Sequence, residues 1–95
     1  MKSIIQDEKK CFICGNPYNL ESHHIFNGPN RKLSEKYGLK IWLCKPHHTG
    51  DKGVHFDKDL KRQIKQLGQT VFEAEYGSRE DFLRIFGKNY LGDEI

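Results

Sequence analysis

The chain has 95 residues, of which 36% are hydrophobic and 31% charged, and its net charge is +3. This length suits one domain with a thin core, and the composition is that of a globular rather than a disordered protein. The charge permits a nucleic-acid partner, but an ordinary solvated surface explains it equally well.

The apolar residues show no pattern for membrane insertion or secretion. No apolar run approaches the roughly 20 residues that span a bilayer, and residues 1–10 lack the apolar segment of a signal peptide. We therefore expect no membrane partner and a cytoplasmic location. The three cysteines, an odd number, fit a thiolate–imidazole metal site better than a closed set of disulfides.

The elements predicted for the first half of the chain are short strands and turns. Residues 1–10 are expected to form a loose arm or a short edge, and 11–15 a zinc-knuckle turn whose glycine permits a left-handed backbone. Strands are predicted over 21–26 and 39–43, and the Asn, Gly and Pro content of 27–31 predicts a loop after the first of them.

Helices are predicted for the second half. Pro46 fixes a turn or the first turn of a helix, and residues 57–76 form an amphipathic helix that ends at Gly77. A second helix starts at Ser78, which stands three residues before Asp81 in a capping-box pattern. The apolar face of the longer helix has the spacing of one helix side and consists of Leu60, Ile64, Leu67, Val71 and Ala74.

Two half-sites for a metal ion stand far apart in the sequence. One is a Cys-x2-Cys pair and the other a Cys-x2-His pair, so each can present two ligands from one turn. The 29 residues from Gly15 to Leu43 exceed the spacing of a plain zinc ribbon, so a folded segment separates the half-sites. The alternative is that the cysteines are buried free thiols. The resulting Cys3His set, typical of structural zinc, is Cys11, Cys14, Cys44 and His47.

Further histidines remain once these zinc ligands are assigned. His23 and His24 lie on a predicted strand, where adjacent side chains point to opposite faces, so one can bind a metal ion while the other reaches the substrate. His47 and His48 begin a predicted helix, where neighbours diverge by about 100°. His47 can thus face the zinc ion while His48 faces a second, catalytic ion.

Two residues are candidates for the third ligand of this second site. His55 follows His48 by seven residues, which on a straight helix is a distance of about 10.5 Å, too far to share an ion. A break at Gly50 or Gly53 would return His55 to the site. Otherwise Asp51 stands in, and His55 is a surface or phosphate-contacting histidine.

These stretches resemble the HNH, or ββα-metal, endonucleases. The matching segments are CFIC at 11–14, ESHHIF at 21–26 and IWLCKPHH at 41–48, in the order and register of that family. The stretches GDKGVH at 50–55 and FGKNYL at 86–91 resemble small phage-type HNH proteins, including phage recombination-enhancement nucleases. The resemblance implies a small zinc-stabilised ββα-metal fold of the α+β class with C-terminal helices.

The resemblance also implies roles and partners. His24 matches the general base, His23 and His48 match ligands of the catalytic ion, and His47 replaces the usual second cysteine of the zinc site. His55 is the open third ligand. The implied cofactors are a structural Zn²⁺ and a catalytic Mg²⁺ or other divalent transition metal. The implied partners are DNA and a recombinase or phage packaging protein, within a bacterial cell.

One position departs from the family pattern. The family's middle asparagine falls five residues before Cys44, where this chain has Leu39. A leucine side chain cannot orient the base through a hydrogen bond. The expected substitutes are a backbone carbonyl or one of three side chains, Asn27, Asn30 and Tyr37.

Candidate phosphate-binding residues stand near the histidines and along the long helix. Arg31 and Lys32 follow the His-His pair, and Lys40 lies on the second strand; basic side chains supply sequence-independent affinity for phosphates. Trp42 is expected in the core rather than as a platform for a base. The helix positions, which a solvated face explains as well, are Lys58, Lys61, Arg62 and Lys65.

The leading prediction is a metal-dependent endonuclease that hydrolyses DNA phosphodiester bonds. Because Leu39 replaces the family's asparagine, the alternative is a zinc module that binds DNA or a protein without catalysis. A further alternative is an RNA-directed nuclease of the same fold. We expect a single domain over 1–95, with a metal core at about 11–56 and a helical part at about 57–91.

Overall fold

The computed structural model describes residues 2–50 and 53–92, and within them strands and helices are mixed. The expected α+β class is confirmed. Among these residues, none of the helices is both long and apolar enough to cross a bilayer. The elements in chain order are β1 (Leu20–His24), α1 (Arg31–Tyr37), β2 (Lys40–Cys44), α2 (Lys45–His48), α3 (Lys58–Glu75) and α4 (Arg79–Phe86).

The two strands pair as an antiparallel sheet, and each lies within two residues of its predicted range. His23 is opposite Ile41, and His24 is opposite Lys40. Because side chains alternate along a strand, His23 shares the inner face with Ile41 and Leu43, which are buried. His24 and Lys40 share the outer face. The sheet therefore gives the two adjacent histidines different surroundings.

Helix α1 is an element that the sequence pattern did not predict. The expected loop at 27–31 is in fact a short 3-10 turn, Gly28–Asn30, which leads directly into α1. The buried Ser34 hydroxyl accepts a hydrogen bond from the Phe26 N–H (2.9 Å) and donates one to the Phe26 carbonyl (2.7 Å). Gly38 ends the helix at φ 70°, in the left-handed region. A helix of seven residues is too short for its periodicity to stand out.

The two C-terminal helices confirm the predictions made for them. Helix α3 lies within the predicted range 57–76, and the Asp57 side chain caps its first turn by accepting a hydrogen bond from the Leu60 N–H at 3.0 Å. Ser78 and Asp81 form the expected reciprocal capping box at the start of α4.

The buried face of α3 is in part the predicted one, since Ile64 is buried and Leu60 and Val71 pack against the core. Ala74 is exposed, and the aromatic ring of Phe72 is buried instead, because an aromatic side chain removes more apolar area from water than alanine does. Gly68 brings the helix close to the residues after β1, since a Cβ there would lie 2.8 Å from Ile25 Cγ2 and 2.9 Å from Phe26 Cε2. The buried residues of α3 are Ile64, Gly68, Gln69 and Phe72.

Residues 2–10 form an ordered arm along β2 rather than a loose one. The Ser3 hydroxyl donates a hydrogen bond to the Lys40 carbonyl (2.6 Å), and the Trp42 N–H donates one to Gln6 Oε1 (2.7 Å). These bonds occupy backbone groups that the edge of a two-stranded sheet otherwise leaves unpaired. Trp42, which was expected in the core, lies half-buried on the outer face beside this arm.

The core lies between the inner face of the sheet and the two C-terminal helices. Phe26 packs against Phe86 with ring centroids 4.9 Å apart, and Phe82 stacks on Phe86 at 4.5 Å. The apolar residues of the core extend along the chain from Cys11 to Phe86. The predicted metal core at 11–56 and the helical part at 57–91 therefore share one hydrophobic cluster.

Candidate metal centres

Four ligand atoms meet where the N-terminal turn, the end of β2 and helix α2 come together. They lie within 4.8 Å of one another, close enough to bind a metal ion such as zinc. All three cysteines are free thiols. The residues that supply the atoms are those of the predicted Cys3His set, Cys11, Cys14, Cys44 and His47.

The spacing of these atoms matches a tetrahedral zinc ion. Bond lengths of about 2.3 Å to sulfur and about 2.0–2.1 Å to nitrogen place two sulfurs about 3.8 Å apart, and a sulfur and a nitrogen about 3.6 Å apart. Cys14 Sγ and Cys44 Sγ are 3.7 Å apart. His47 Nδ1 is 3.8 Å from Cys11 Sγ and 3.2 Å from Cys44 Sγ. The donor set therefore fits structural zinc, with Nδ1 as the ligand atom of His47.

Backbone hydrogen bonds shape the turn that presents the first two cysteines. The Gly15 N–H donates to the Cys11 carbonyl, and the Cys11 N–H donates to the Asn16 carbonyl, both at 2.8 Å. Gly15 has φ 79°, where a side chain would be strained. The Phe12 N–H donates to the Trp42 carbonyl at 2.8 Å, which holds the turn against β2. The turn predicted at this position is confirmed.

The thiols of this group differ in how readily they ionise. Burial raises the pKa of Cys11, but hydrogen bonds from neighbouring backbone groups, that of Cys44 foremost, outweigh it and lower the pKa to about 6. Burial raises the pKa of Cys44, and the adjacent thiols add to this effect. The thiolate form is thus favoured at neutral pH for Cys11 and disfavoured for Cys44. A bound cation would stabilise the thiolate form of both.

Three more histidines converge in a neighbouring pocket. His23, His48 and His55 place ligand nitrogens within 4.8 Å of one another. Their ring centroids are 5.2 Å apart for His23 and His48, 5.5 Å for His23 and His55, and 4.8 Å for His48 and His55. Together with His24 they line an open pocket of about 260 Å³. Three imidazoles grouped in this way are a ligand set for a single divalent ion with an open position.

The surroundings of this second group favour neutral imidazoles. His23 is only 5% exposed. Burial, followed by the positive charges that His48 and His55 can carry, lowers its pKa to about 3. The pKa of His55 is also lowered, first by burial and then by His48 and Lys61. Since the neutral ring is the form that binds a metal ion, both residues are ready to act as ligands at neutral pH.

His55 reaches the pocket because the chain turns back after α2. The helix ends at His48, and the Gly53 N–H donates to the Gly50 carbonyl at 2.9 Å. A Cβ on Gly53 would lie 2.8 Å from the His48 carbonyl oxygen, so the close return needs a glycine. The straight helix that would carry His55 away is not formed. Asp51, the other candidate ligand, lies outside the described residues.

Two glutamates that the sequence did not single out hold histidines of this pocket. Glu35 Oε1 is 2.9 Å from His24 Nε2, and the same carboxylate accepts a hydrogen bond from Lys40 Nζ at 3.0 Å. Glu21 Oε1 is 2.7 Å from His48 Nδ1. A carboxylate partner keeps the proton on the ring nitrogen that it contacts, which leaves Nδ1 of His24 and Nε2 of His48 as the free nitrogens.

Only one of these glutamates had a sequence signal. Glu21 stands two residues before His23, so a strand places both side chains on one face. Glu35 belongs to α1, whose existence was not predicted, and it reaches His24 across a separation of 11 residues.

Of the three side chains expected to substitute for the asparagine of the HNH pattern, Asn30 and Tyr37 lie away from the histidine pocket. Leu39 is fully buried, and its carbonyl accepts a hydrogen bond from the Ile25 N–H at 3.0 Å. The Asn30 side chain donates to the last carbonyl of α4 at 3.0 Å, and Tyr37 packs among the core aromatic rings. Asn27 lines the histidine pocket. The hydrogen-bond partner of the His24 ring is Glu35.

Arg31 and Lys32, the two predicted phosphate-binding residues that follow the His-His pair, are placed differently. Arg31, the first residue of α1, lines the histidine pocket. Lys32 is exposed and lies outside the lining of that pocket. The helix explains the difference, because adjacent side chains on it diverge by about 100°.

Comparison of the chain with protein-family models, with curated proteins and with solved structures found no significant match. The function of the chain is therefore inferred from the chemistry of the two ligand groups and of the side chains around them.

Proposed function

We propose that this chain is a metal-dependent endonuclease of the HNH type that hydrolyses phosphodiester bonds in DNA. The observation that carries the proposal is one pocket in which three histidines, close enough together to bind a metal ion, adjoin a fourth histidine whose ring contacts Glu35. His23 and His24 are neighbours in the chain but lie on opposite faces of β1. An ion site beside a proton acceptor is the basic requirement of metal-assisted hydrolysis.

His24 is the general base of this proposal. Its Nε2–H donates to Glu35, so its Nδ1 takes the proton of a water molecule. As that proton leaves, the water oxygen forms a bond to phosphorus, and the bond from phosphorus to the 3′ oxygen breaks. Glu35, itself held by Lys40 at 3.0 Å, orients His24 in place of the family's asparagine.

The three-imidazole ligand set favours a transition metal. Mg²⁺ prefers oxygen ligands and keeps several waters, whereas imidazole suits Zn²⁺, Ni²⁺ and related ions. When bound, the ion stabilises the negative charge that develops on the phosphoryl group and the leaving oxygen. Of the catalytic cofactors expected from the sequence, the transition metals are thus preferred to Mg²⁺.

Positive charge around the pocket suits a phosphate backbone. Arg31 lines the pocket, and its guanidinium can donate two hydrogen bonds to one phosphate. Lys61 is near enough to lower the pKa of His23 and of His55, so it adds positive potential there. DNA is the substrate that the family resemblance implies. A recombinase or packaging protein as partner, and a cytoplasmic location, stay predictions.

The second candidate function is a zinc module without catalysis that binds nucleic acid or protein. The observation in its favour is the buried Leu39 at the position of the family's asparagine. In this case only the four-ligand group would hold an ion. Metal counting separates the two functions, because the nuclease binds a second divalent ion and the module does not.

Cleavage of supercoiled plasmid by the zinc-loaded chain tests the proposal. We expect nicked or linear product when Mn²⁺, Ni²⁺ or Zn²⁺ is added, and less product with Mg²⁺. His24→Ala should slow cleavage by about 100-fold or more, since a general base contributes about 10²–10⁴-fold. Intact plasmid with every metal would overturn the nuclease proposal and favour the zinc module.

The orienting role of Glu35 is tested in the same assay. Glu35→Gln removes the negative charge that holds the His24 ring, and we expect a loss of about tenfold or more in cleavage rate, as for other groups that orient a functional histidine. Glu75→Gln, the same change at an exposed position at the end of α3, is the matched control. Equal rates for the two variants would contradict the role.

A further inference from the structure

A larger concavity, of about 640 Å³, lies on the outer face of the sheet. The arm formed by residues 2–10 supplies one wall, and Ser22, Lys40 and Trp42 belong to the floor. The hydrogen bonds from the arm to β2 hold this wall in place. This feature, here called the sheet groove, has no part in binding either predicted ion.

The floor of the sheet groove contains Trp42, the one tryptophan of the chain. Its ring is half-buried, and Lys9 Nζ lies over it at 4.7 Å from the ring centroid. A lysine in this position makes a cation–π contact that is weak at exposed sites. The flexible lysine can move aside, and the ring then offers a flat surface on which a base can stack.

The charge around the sheet groove is positive. Lys2, Lys9 and Lys40 line it together with one acid, Asp7. Lys40 is paired with Glu35, whereas Lys2 and Lys9 are exposed on the arm. Basic side chains placed around an aromatic ring are the arrangement that binds a single strand, because the lysines follow the phosphates and the ring takes a base.

The sheet groove adjoins the histidine pocket. Ser22 lines both cavities. His24 is two residues from Ser22 on the same strand face, and Lys40 is its cross-strand neighbour. A strand with a phosphodiester at His24 can therefore extend across the sheet to Trp42.

We propose that the sheet groove binds one polynucleotide strand, with a base stacked on Trp42 and phosphates at Lys2 and Lys9. The inference rests on the proposed nuclease function for its choice of a nucleic acid as occupant. It places the substrate strand on the outer face of the sheet. Neither the zinc group nor the three-histidine group requires this placement.

Trp42 fluorescence tests this inference directly, because no other tryptophan contributes to the emission. The full chain with one equivalent of zinc is titrated with oligothymidylate, and separately with an abasic deoxyribose-phosphate oligomer of equal length. We expect oligothymidylate to quench Trp42 and to bind between about 5-fold and 100-fold more tightly than the abasic oligomer. Absence of quenching, or equal affinity for the two oligomers, would overturn the proposal.

Charge reversal supplies the second arm of the experiment. Lys9→Glu should weaken oligothymidylate binding by about tenfold or more and reduce its salt dependence, because each lost phosphate contact lowers the slope by about 0.7. Lys88→Glu, which changes net charge equally outside the sheet groove, should bind like the parent. Equal affinity of Lys9→Glu and the parent would overturn the proposal.

The two proposals fail in different ways. Quenching by oligothymidylate without plasmid cleavage would support the sheet groove and remove the nuclease function. Plasmid cleavage with unchanged Trp42 emission would support the nuclease function and overturn the sheet groove.

Discussion

His23 links the protonation of the histidine pocket to the stability of the fold. In the folded chain, burial and the neighbouring histidines lower its pKa to about 3, whereas a free imidazole has a pKa of about 6.5. Between these two values the unfolded chain binds a proton that the folded chain does not. The free energy of unfolding therefore falls as the pH decreases from about 6.5 towards 3.

This linkage predicts a pH dependence that one substitution reduces. Between pH 6.5 and 5.5, the free energy of unfolding should fall by about 1 kcal/mol more in the parent than in His23→Gln, because the variant has no buried imidazole at that position. Urea unfolding of both proteins at a fixed zinc concentration measures the difference. Parallel pH profiles would contradict the prediction.

At the scale of residues, the members of the two candidate ligand groups could largely be predicted from the sequence, whereas the contact of Glu35 with His24 could not. The pairs Cys11 with Cys14 and Cys44 with His47 are visible as local spacings, because one turn presents each pair. Glu35 lacked such a signal, since its contact with His24 depends on the relative position of α1 and β1. His55 was left open because its position depends on whether the chain bends after α2.

At the scale of elements, Gly68 shows how tertiary contact overrides helix propensity. The sequence pattern marks this glycine only as a weak point in a helix. In the fold it faces Ile25 and the ring of Phe26, and it lets α3 approach the segment after β1 more closely than any other residue would. The position is therefore a packing requirement of the helix.

Gly68→Ala should destabilise the protein although alanine is the better helix former. Overpacking against Phe26 costs about 1–3 kcal/mol, while the propensity gain is about 1 kcal/mol, so we expect a net loss of up to about 2 kcal/mol. Gln63→Ala, at an exposed position of α3, is the control and should stay within about 0.5 kcal/mol of the parent. Denaturant unfolding measures both, and a stabilised Gly68→Ala would contradict the prediction.

Elements whose signals are local were predicted well. Helices α3 and α4 have capping residues and apolar periodicity within their own segments. The N-terminal segment was left open between a loose arm and a short edge, because Ser3 and Gln6 bond to β2 residues 36 or more positions away. The buried face of α3 was predicted only in part, because apolar spacing does not show which side of a helix meets the sheet: Leu60, Ile64 and Val71 pack in or against the core, whereas Ala74 is exposed.

At the scale of the whole molecule, the four-ligand group joins segments that are distant in the sequence. It connects the turn at 11–15 to the end of β2 and to α2. A chain of 95 residues has a small core, so an ion bound by this group would contribute a large share of its folding free energy.

Removal of zinc should therefore cause a large loss of stability. We expect a strong chelator to lower the Tm of the parent by at least roughly 10 °C, as followed by circular dichroism, because the loss amounts to several kcal/mol. Cys44→Ser should melt at a similarly low temperature, and the chelator should change it little further. A parent whose Tm is the same with and without chelator would contradict a structural role for the ion.

His47 and His48 are consecutive residues of α2, and each belongs to a different ligand group. Their Cα atoms are about 3.8 Å apart, a separation set by covalent bonds rather than by packing. Drift of the apolar core during evolution can therefore alter stability without changing the distance between the two sites. An insertion between these two histidines, or the loss of either one, would instead separate or disrupt the sites at once, so the length of the chain at this point is fixed by both sites together.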